Sequence, residues 1–308
     1  MTAHPPEPGP PEPGPPEVGP PEVGPTEPGP TEPGPPEVAR PVSPIRIRPR
    51  AAVFLGLASV AGVAAYGWPL LVSADSAIAH GSDAPWVFAL LLAAVLAVVL
   101  AELSSGGMDA KAVAMLGVLS AVGAVLRPLG AGTAGIETVF FLLVFGGRVF
   151  GPGFGFVLGN TMLFASALLT AGVGPWLPFQ MLGCAWIGLG AGLLPGSVRG
   201  RAELAMLAGY GALAGLAYGV LLNLSFWPFT LGPGTSVSFV PGDAVADNLR
   251  RLLAFTLATS LGWDIGRAIT TAVLVLLAGP ALLASLRRAA RRAAFAPPPE
   301  QANVVAQP

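Results

Sequence analysis

From Phe150 to Pro195 the chain contains no Asp, Glu, Lys, Arg or His. A helix at a protein surface in water needs a polar face, so an uncharged stretch of this length leaves few environments open. The turn from Gly172 to Gln180 divides it into two apolar runs. Each has about the 20 residues that a helix needs to cross a bilayer core. Glycines recur through both, at Gly151, Gly153, Gly155 and Gly159 in the first and at Gly183, Gly188, Gly190 and Gly192 in the second. They let helix backbones approach closely. The turn is too apolar for an ordinary surface loop, yet it carries Trp176 and Gln180. The stretch reads as a membrane helical hairpin whose outer tip faces a ligand cavity.

The rest of the composition agrees. Only 11% of residues are charged and mean hydropathy is +0.68, against about 25% charged residues in soluble domains. The net charge of -1 gives no sign of a nucleic-acid partner. A single cysteine, Cys184, rules out a disulfide within the chain. The two histidines, His4 and His80, are far apart in sequence, so neither a His-based metal site nor a cofactor is expected.

Residues 6 to 40 form seven pentapeptides of the type PEPGP, PEVGP and TEPGP, ending in PEVAR, and hold seven of the 17 acids. A period of five is not the period of three that collagen requires. Proline and glycine oppose helix and ladder, and nothing apolar is there to bury. Residues 1–50 are expected to be a disordered, anionic Pro/Glu-rich tail with a basic end. It would serve as a solvated spacer or as a ligand for a proline-recognising partner.

Arg40, Arg46, Arg48 and Arg50 precede the first apolar run, Ala51 to Val72, and place that end in the cytoplasm by the positive-inside rule. The segment from Asp75 to Asp83 lacks Lys and Arg and reads as outside; a second run, Trp86 to Leu103, returns to an inner turn marked by Glu102, Asp109 and Lys111. A third run, Ala110 to Leu126, carries Ala114, Gly117, Ser120, Ala121 and Ala124 on one face. That face would pack within the chain or dock another subunit's helix. A Gly-rich outer loop from Arg127 to Glu137 leads to a fourth run, Thr138 to Gly146, with Arg148 at an inner turn. The hairpin supplies the fifth and sixth spans, and Arg199 and Arg201 again read as inside. The seventh, Ala202 to Leu224, is followed by an outer loop, Phe226 to Asn248. The last run, Leu252 to Leu286, exceeds a 30 Å core at about 1.5 Å per residue, so its first turns should project outward. Arg287, Arg288, Arg291 and Arg292 close it inside. The expectation is an all-α, polytopic membrane helix bundle of about eight spans in the cell membrane, with both termini cytoplasmic. Residues 51–108 form two extra spans, 109–286 a six-span core and 287–308 a basic tail. Arg127, Arg250 and Arg251 fall on the outer side, against the charge rule.

Enzymatic motifs are missing. The only lysine, Lys111, follows Ala110, so no phosphate-cradling Gly-Lys-Ser/Thr loop exists. There is no His-Glu-x-x-His and no histidine in a span for a serine hydrolase. The chain reads as a non-enzyme. Polar groups near the outer ends of spans are more informative. Asp264 and Arg267 lie three apart on one helix face, as a self-neutralising pair or a substrate contact. Arg127 and Glu137 bracket the Gly-rich loop, Trp176 and Gln180 occupy the hairpin tip, and Asn223 and Trp227 end the seventh span. Interfacial tryptophans and interhelical amide bonds are the plainer readings of Trp176, Trp227, Gln180 and Asn223. All eight nevertheless converge on one side from four spans, as a small-molecule pocket requires. A transport component, a proton-coupled secondary transporter using Glu137 or Asp264, and a scaffold recruiting partners through its Pro-rich tail are the function classes that fit.

The segment from about Lys111 to Arg292 resembles the substrate-binding (S) component of energy-coupling factor (ECF) vitamin transporters. The likeness is carried by the small-residue helix ending VGAVLR at Arg127, by Phe140-Phe141 with GGRVFGPGFGFVLG, by GVGPWLPFQMLG, and by WDIGRAIT from Trp263 to Thr270. The resemblance implies a six-span core that binds a vitamin, with a cobalamin-type substrate among the options. It implies that Gly117, Ala121 and Ala124 contact a transmembrane T component, and that two ABC-type ATPase subunits supply energy. The two N-terminal spans and the Pro-Glu tail depart from the family pattern.

Overall fold

The computed structural model describes residues 49–71, 110–130, 133–231 and 234–293, besides isolated positions 9, 14, 94, 97 and 101. The chain divides into two units, Met1–Pro41 and Val42–Pro308, and all the helices named below belong to the second. The Pro/Glu tail, the outer segment from Asp75 to Asp83, most of the second run and the C-terminal tail lie outside the described residues.

The described structure is all-helical: α1 (Pro49–Tyr66), α2 (Trp68–Leu71), α3 (Ala110–Gly130), α4 (Phe140–Phe150), α5 (Pro152–Leu169), α6 (Leu177–Leu193), α7 (Gly200–Thr230), α8 (Val245–Phe255) and α9 (Leu261–Ala293), with a π-helical turn, Thr256–Ser260, joining the last two. Four helical stretches are long and apolar enough to cross a membrane: Ala110–Gly130, Pro152–Leu169, Gly200–Pro228 and Val245–Arg291. Ala52–Tyr66, Phe140–Phe150 and Leu177–Leu193 are shorter apolar helices.

Helix α4 is the hub. Its sequence, FFLLVFGGRVF, is apolar all round apart from Arg148, and every residue but that one is buried, as expected of a helix enclosed by others. It packs on α5, α6 and α9 and touches α7. The tightest pairing is α5 against α6. Its seam is backbone on backbone. A Cβ added at Gly155 would strike the Gly188 carbonyl, one at Gly188 would strike Gly155, and one at Gly159 would strike the Ala185 amide. Gly155, Gly159 and Gly188 therefore bring the two backbones together as expected, whereas Gly183 and Gly190 make room for the side chains of Tyr218 and Tyr210. Helix α3 leans on α5 through a Ser120–Thr161 hydroxyl hydrogen bond of 2.7 Å and through Gly123 against Met162. Helix α1 lies along α6, where the Trp186 indole donates to Ser59 Oγ at 3.0 Å and Tyr66 donates to the Phe179 carbonyl.

At one end of the bundle, charges are gathered rather than scattered. Glu203, at the start of α7, is buried and accepts from Arg148 Nε at 2.7 Å and Arg287 Nη2 at 2.6 Å, with Arg199 3.9 Å away. Arg148 also donates to the carbonyls of Leu194, Pro195 and Val198. This knot ties α4, the α6–α7 turn, α7 and α9 together. The opposite end holds the last turn of α3, the starts of α4, α6 and α9, and a pocket.

The long C-terminal run is continuous helix from α8 through the π turn into α9. From Val245 to Arg291 it would measure about 70 Å, far beyond a bilayer core. Helix α8 carries Asp247, Arg250 and Arg251 within its 11 residues, which fits a segment that leaves the apolar layer.

Candidate ligand-binding site

Helix α4 is only 11 residues long because the chain before it is not helical. Residues 133–139 instead form an irregular strap. Ala134 and Gly135 both take positive φ, 42° and 75°. Gly135 is obligatory: it is buried, and a Cβ there would strike the Trp263 carbonyl of α9. Gly266 provides the reciprocal space, since a Cβ on it would strike the Ala134 carbonyl. Irregular backbone packed against membrane helices is tolerated where it is buried in protein or lines a cavity. Here it lines one.

The cavity has a volume of ≈ 320 Å³, at the lower end of small-molecule sites. Helix α3 contributes Arg127, the strap contributes Glu137, α6 contributes Gln180 and Cys184, and α9 contributes Trp263 and Arg267. Phe140 of α4 with Tyr218 and Leu222 of α7 make apolar wall. Polar heads thus sit over an aromatic and aliphatic base.

Each polar head is fixed by its surroundings. Arg127 occupies the last turn of α3, where a cation is favoured by the helix dipole. Its Nη2 donates to Gln180 Oε1 at 2.9 Å, which joins α3 to the hairpin tip. Thr138 Oγ1 donates to the Leu126 carbonyl at 2.7 Å and holds the strap to the same turn. Arg267 donates to Asp264 Oδ1 at 2.6 Å, and its guanidinium carbon lies 5.2 Å from the centre of the Tyr218 ring. The ring itself is braced edge-on by Phe140, with centroids 5.0 Å apart.

Of the eight residues singled out from sequence as substrate-binding, Arg127, Glu137, Gln180 and Arg267 line the cavity and four do not. Asp264 stands behind Arg267, buried against Gly219 of α7. Asn223 is spent on the π turn: its amide donates to Thr256 at 3.2 Å and accepts from Ser260 at 3.2 Å. Trp227 is fully buried in a separate small core with Leu252 and Phe255, and donates to the Val237 carbonyl at 2.6 Å. It anchors the loop before α8. Trp176 is 44% exposed and folds over Gly174. The small-residue face of α3 also divides. Ala124 is buried within the chain, whereas Gly117 and Ala121 are exposed.

Phe140, Cys184, Tyr218, Leu222 and Trp263 also line the cavity, and sequence reasoning does not assign them to it. A tyrosine in a long apolar helix carries no periodic signal; its role becomes visible only when α7 is set beside α9. Among the described residues no cluster of His, Cys, Asp and Glu could hold a metal. Comparisons of the chain with protein-family profiles, with curated proteins and with solved structures give no match.

Proposed function

We propose that this chain is the substrate-binding membrane subunit of an ATP-driven importer of the energy-coupling factor type, and that it holds a vitamin or related micronutrient in the cavity between α3, the 133–139 strap, α6, α7 and α9. The observation that carries the reading is that cavity: ≈ 320 Å³, apolar at its base, with Arg127, Glu137, Gln180 and Arg267 converging on it from separate elements. The Arg148, Arg199 and Arg287 knot at the far end supports a cytoplasmic assignment for that end. The cavity then opens outward, in a bundle of about eight spans with both termini inside. A cavity of ≈ 320 Å³ suits a one- or two-ring vitamin. The exposed Gly117 and Ala121 surface of α3 is the face offered to a T component. The missing phosphate-binding loop leaves ATP hydrolysis to two partner ATPase subunits.

Mass spectrometry of small molecules released from purified protein tests this directly. A vitamin-class compound should be present at a stoichiometric level, bound without partners. Uptake into vesicles should need the T component and ATPases. Recovery of no ligand, with uptake proceeding on the chain alone, would overturn the proposal. The carboxylate of Glu137 in the cavity favours one second reading, a self-contained proton-coupled transporter; uptake driven by a pH gradient without ATPases would establish it instead.

A further inference from the structure

The cavity holds two charges that have no counter-ion at pairing distance among the described residues. Ion pairs form there at Glu203, Asp243, Asp247 and Asp264, and none forms at Arg127 or Glu137. Arg267 is already neutralised by Asp264. Arg127 spends one nitrogen on the neutral oxygen of Gln180 and keeps its charge. Glu137 feels Arg267 and Arg127 across the cavity and lies beside the backbone N–H groups of Val139 and Thr138, but neither guanidinium reaches it at pairing distance. Both residues line the same ≈ 320 Å³ cavity, facing into it without pairing with each other.

Two opposite charges that are half-buried on the wall of one small cavity attract each other, because each is partly withdrawn from water. Here the scaffold holds them apart. Arg127 is tethered by Gln180 on α6, and Glu137 by the strap, whose path is set by Gly135 against Trp263. A net anion entering the cavity meets Glu137, and a net cation meets Arg127. A ligand carrying both charges on one compact body satisfies both.

Resting on the reading of this cavity as a ligand site, we infer that its substrate is a small zwitterion: a carboxylate or similar anion for Arg127, a cationic nitrogen for Glu137, and an aromatic or aliphatic body against Phe140, Tyr218 and Leu222. A guanidinium fits the anion because it offers paired donors in one plane. A site built around two such groups rejects analogues that lack either, since the analogue leaves a buried charge unpaired.

The test uses full-length protein in lipid nanodiscs and two matched probe series. One is tryptophan, tryptamine and indole-3-propionate; the other is phenylalanine, phenethylamine and 3-phenylpropanoate. Binding is read by calorimetry and by the rise in melting temperature that each probe produces. At least one zwitterion should bind about 100-fold more tightly than either singly charged analogue of its series. Glu137→Gln should erase its advantage over the acid, and Arg127→Gln its advantage over the amine. The wild-type series decides the matter even where a variant fails to fold. An acid or amine that binds as well as its zwitterion overturns the inference, as does the absence of binding in both series. Ligand released from the same preparation separates the two failures. A singly charged or neutral vitamin sinks the zwitterion inference and leaves the proposed function standing; an empty preparation that also ignores every probe sinks both.

Discussion

Arg148 Nε donates to a carboxylate oxygen of Glu203 at 2.7 Å, and both side chains are almost wholly enclosed. The pair joins the end of the most buried helix to the start of the longest early one, about 20 Å along α7 from the cavity wall at Tyr218. Its removal should be felt in stability. Glu203→Gln leaves Arg148 and Arg287 facing a neutral amide at a buried position. Breaking one partner of such a pair costs about 3–5 kcal/mol. Arg287→Gln should cost less, because its side chain is 30% exposed and solvent screens it. Unfolding in detergent, followed by temperature or denaturant, should rank the variants in that order. Equal losses for the two would mean that the knot is not centred on Glu203.

The α5–α6 seam makes a second, sharper prediction. Gly188→Ala places a methyl on the Gly155 backbone, where no side chain can yield. Over-packing of this kind costs about 1–3 kcal/mol, and the backbone contact puts this site at the upper end. Gly209→Ala is the control. It lies in the body of α7 with nothing within 4 Å of the added carbon, so the substitution should be neutral or stabilise by about 0.5–1 kcal/mol through lost unfolded-state freedom. Thermal melts of the two variants side by side measure the difference.

How far the sequence could be read follows from where the information is local. The uncharged stretch, its glycines and its central turn dictate two apposed apolar helices, and α5 and α6 are those helices. The inward convergence of Arg148, Arg199 and Arg287 is legible as a charge bias, but their meeting on Glu203 is not, because residue 203 is only one more charge near a span end. Arg127 and Glu137 are legible because they bracket a Gly-rich loop. Asn223 and Trp227 are polar or aromatic near the same end, and nothing local distinguishes a residue that faces the cavity from one a few positions on that faces the π turn or the small core around Leu252. The shortness of α4 is visible in its nine-residue run, Thr138 to Gly146. Its cause, a strap seated on Trp263 more than a hundred residues later, is a tertiary fact.

The loop before α8 should respond to acid in a particular direction. Arg251 Nη2 reaches Asp243 Oδ2 at 2.7 Å, and this bond, with the Ala244 N–H, holds the Asp243 carboxyl below its ordinary range. A carboxylate whose folded value is depressed stabilises the fold above its unfolded value of about 3.9 and loses that contribution as pH falls through the depressed value. Protection of residues 235–244 from proteolysis should therefore hold from pH 7 to 5 and weaken slightly only in stronger acid, since an exposed pair contributes little. Asp243→Asn should loosen the same loop by a similar small amount at neutral pH and remove the acid transition.

Gln180 and Asp264 are both candidate substrate contacts by sequence, and the structure gives them different work. Gln180 lines the cavity and its amide oxygen accepts from Arg127. Gln180→Leu removes that one hydrogen bond, to a charged donor, and leaves Arg127 in the polar mouth of the cavity. Both groups are half-buried, so water can take the place of the bond and the melting temperature should change little; ligand affinity should fall about tenfold, ~1.4 kcal/mol, because Arg127 is no longer held toward the ligand. Asp264 does not line the cavity; it neutralises Arg267 from behind and fills the space left by Gly219. Asp264→Asn keeps the shape and removes the charge, so Arg267 is left enclosed without a counter-ion. Stability and affinity should then fall together, the first through the unpaired guanidinium and the second through its altered place over Tyr218. Parallel melts and ligand titrations separate the two patterns. Lost affinity with unchanged melting in Asp264→Asn would return Asp264 to the ligand's own contacts.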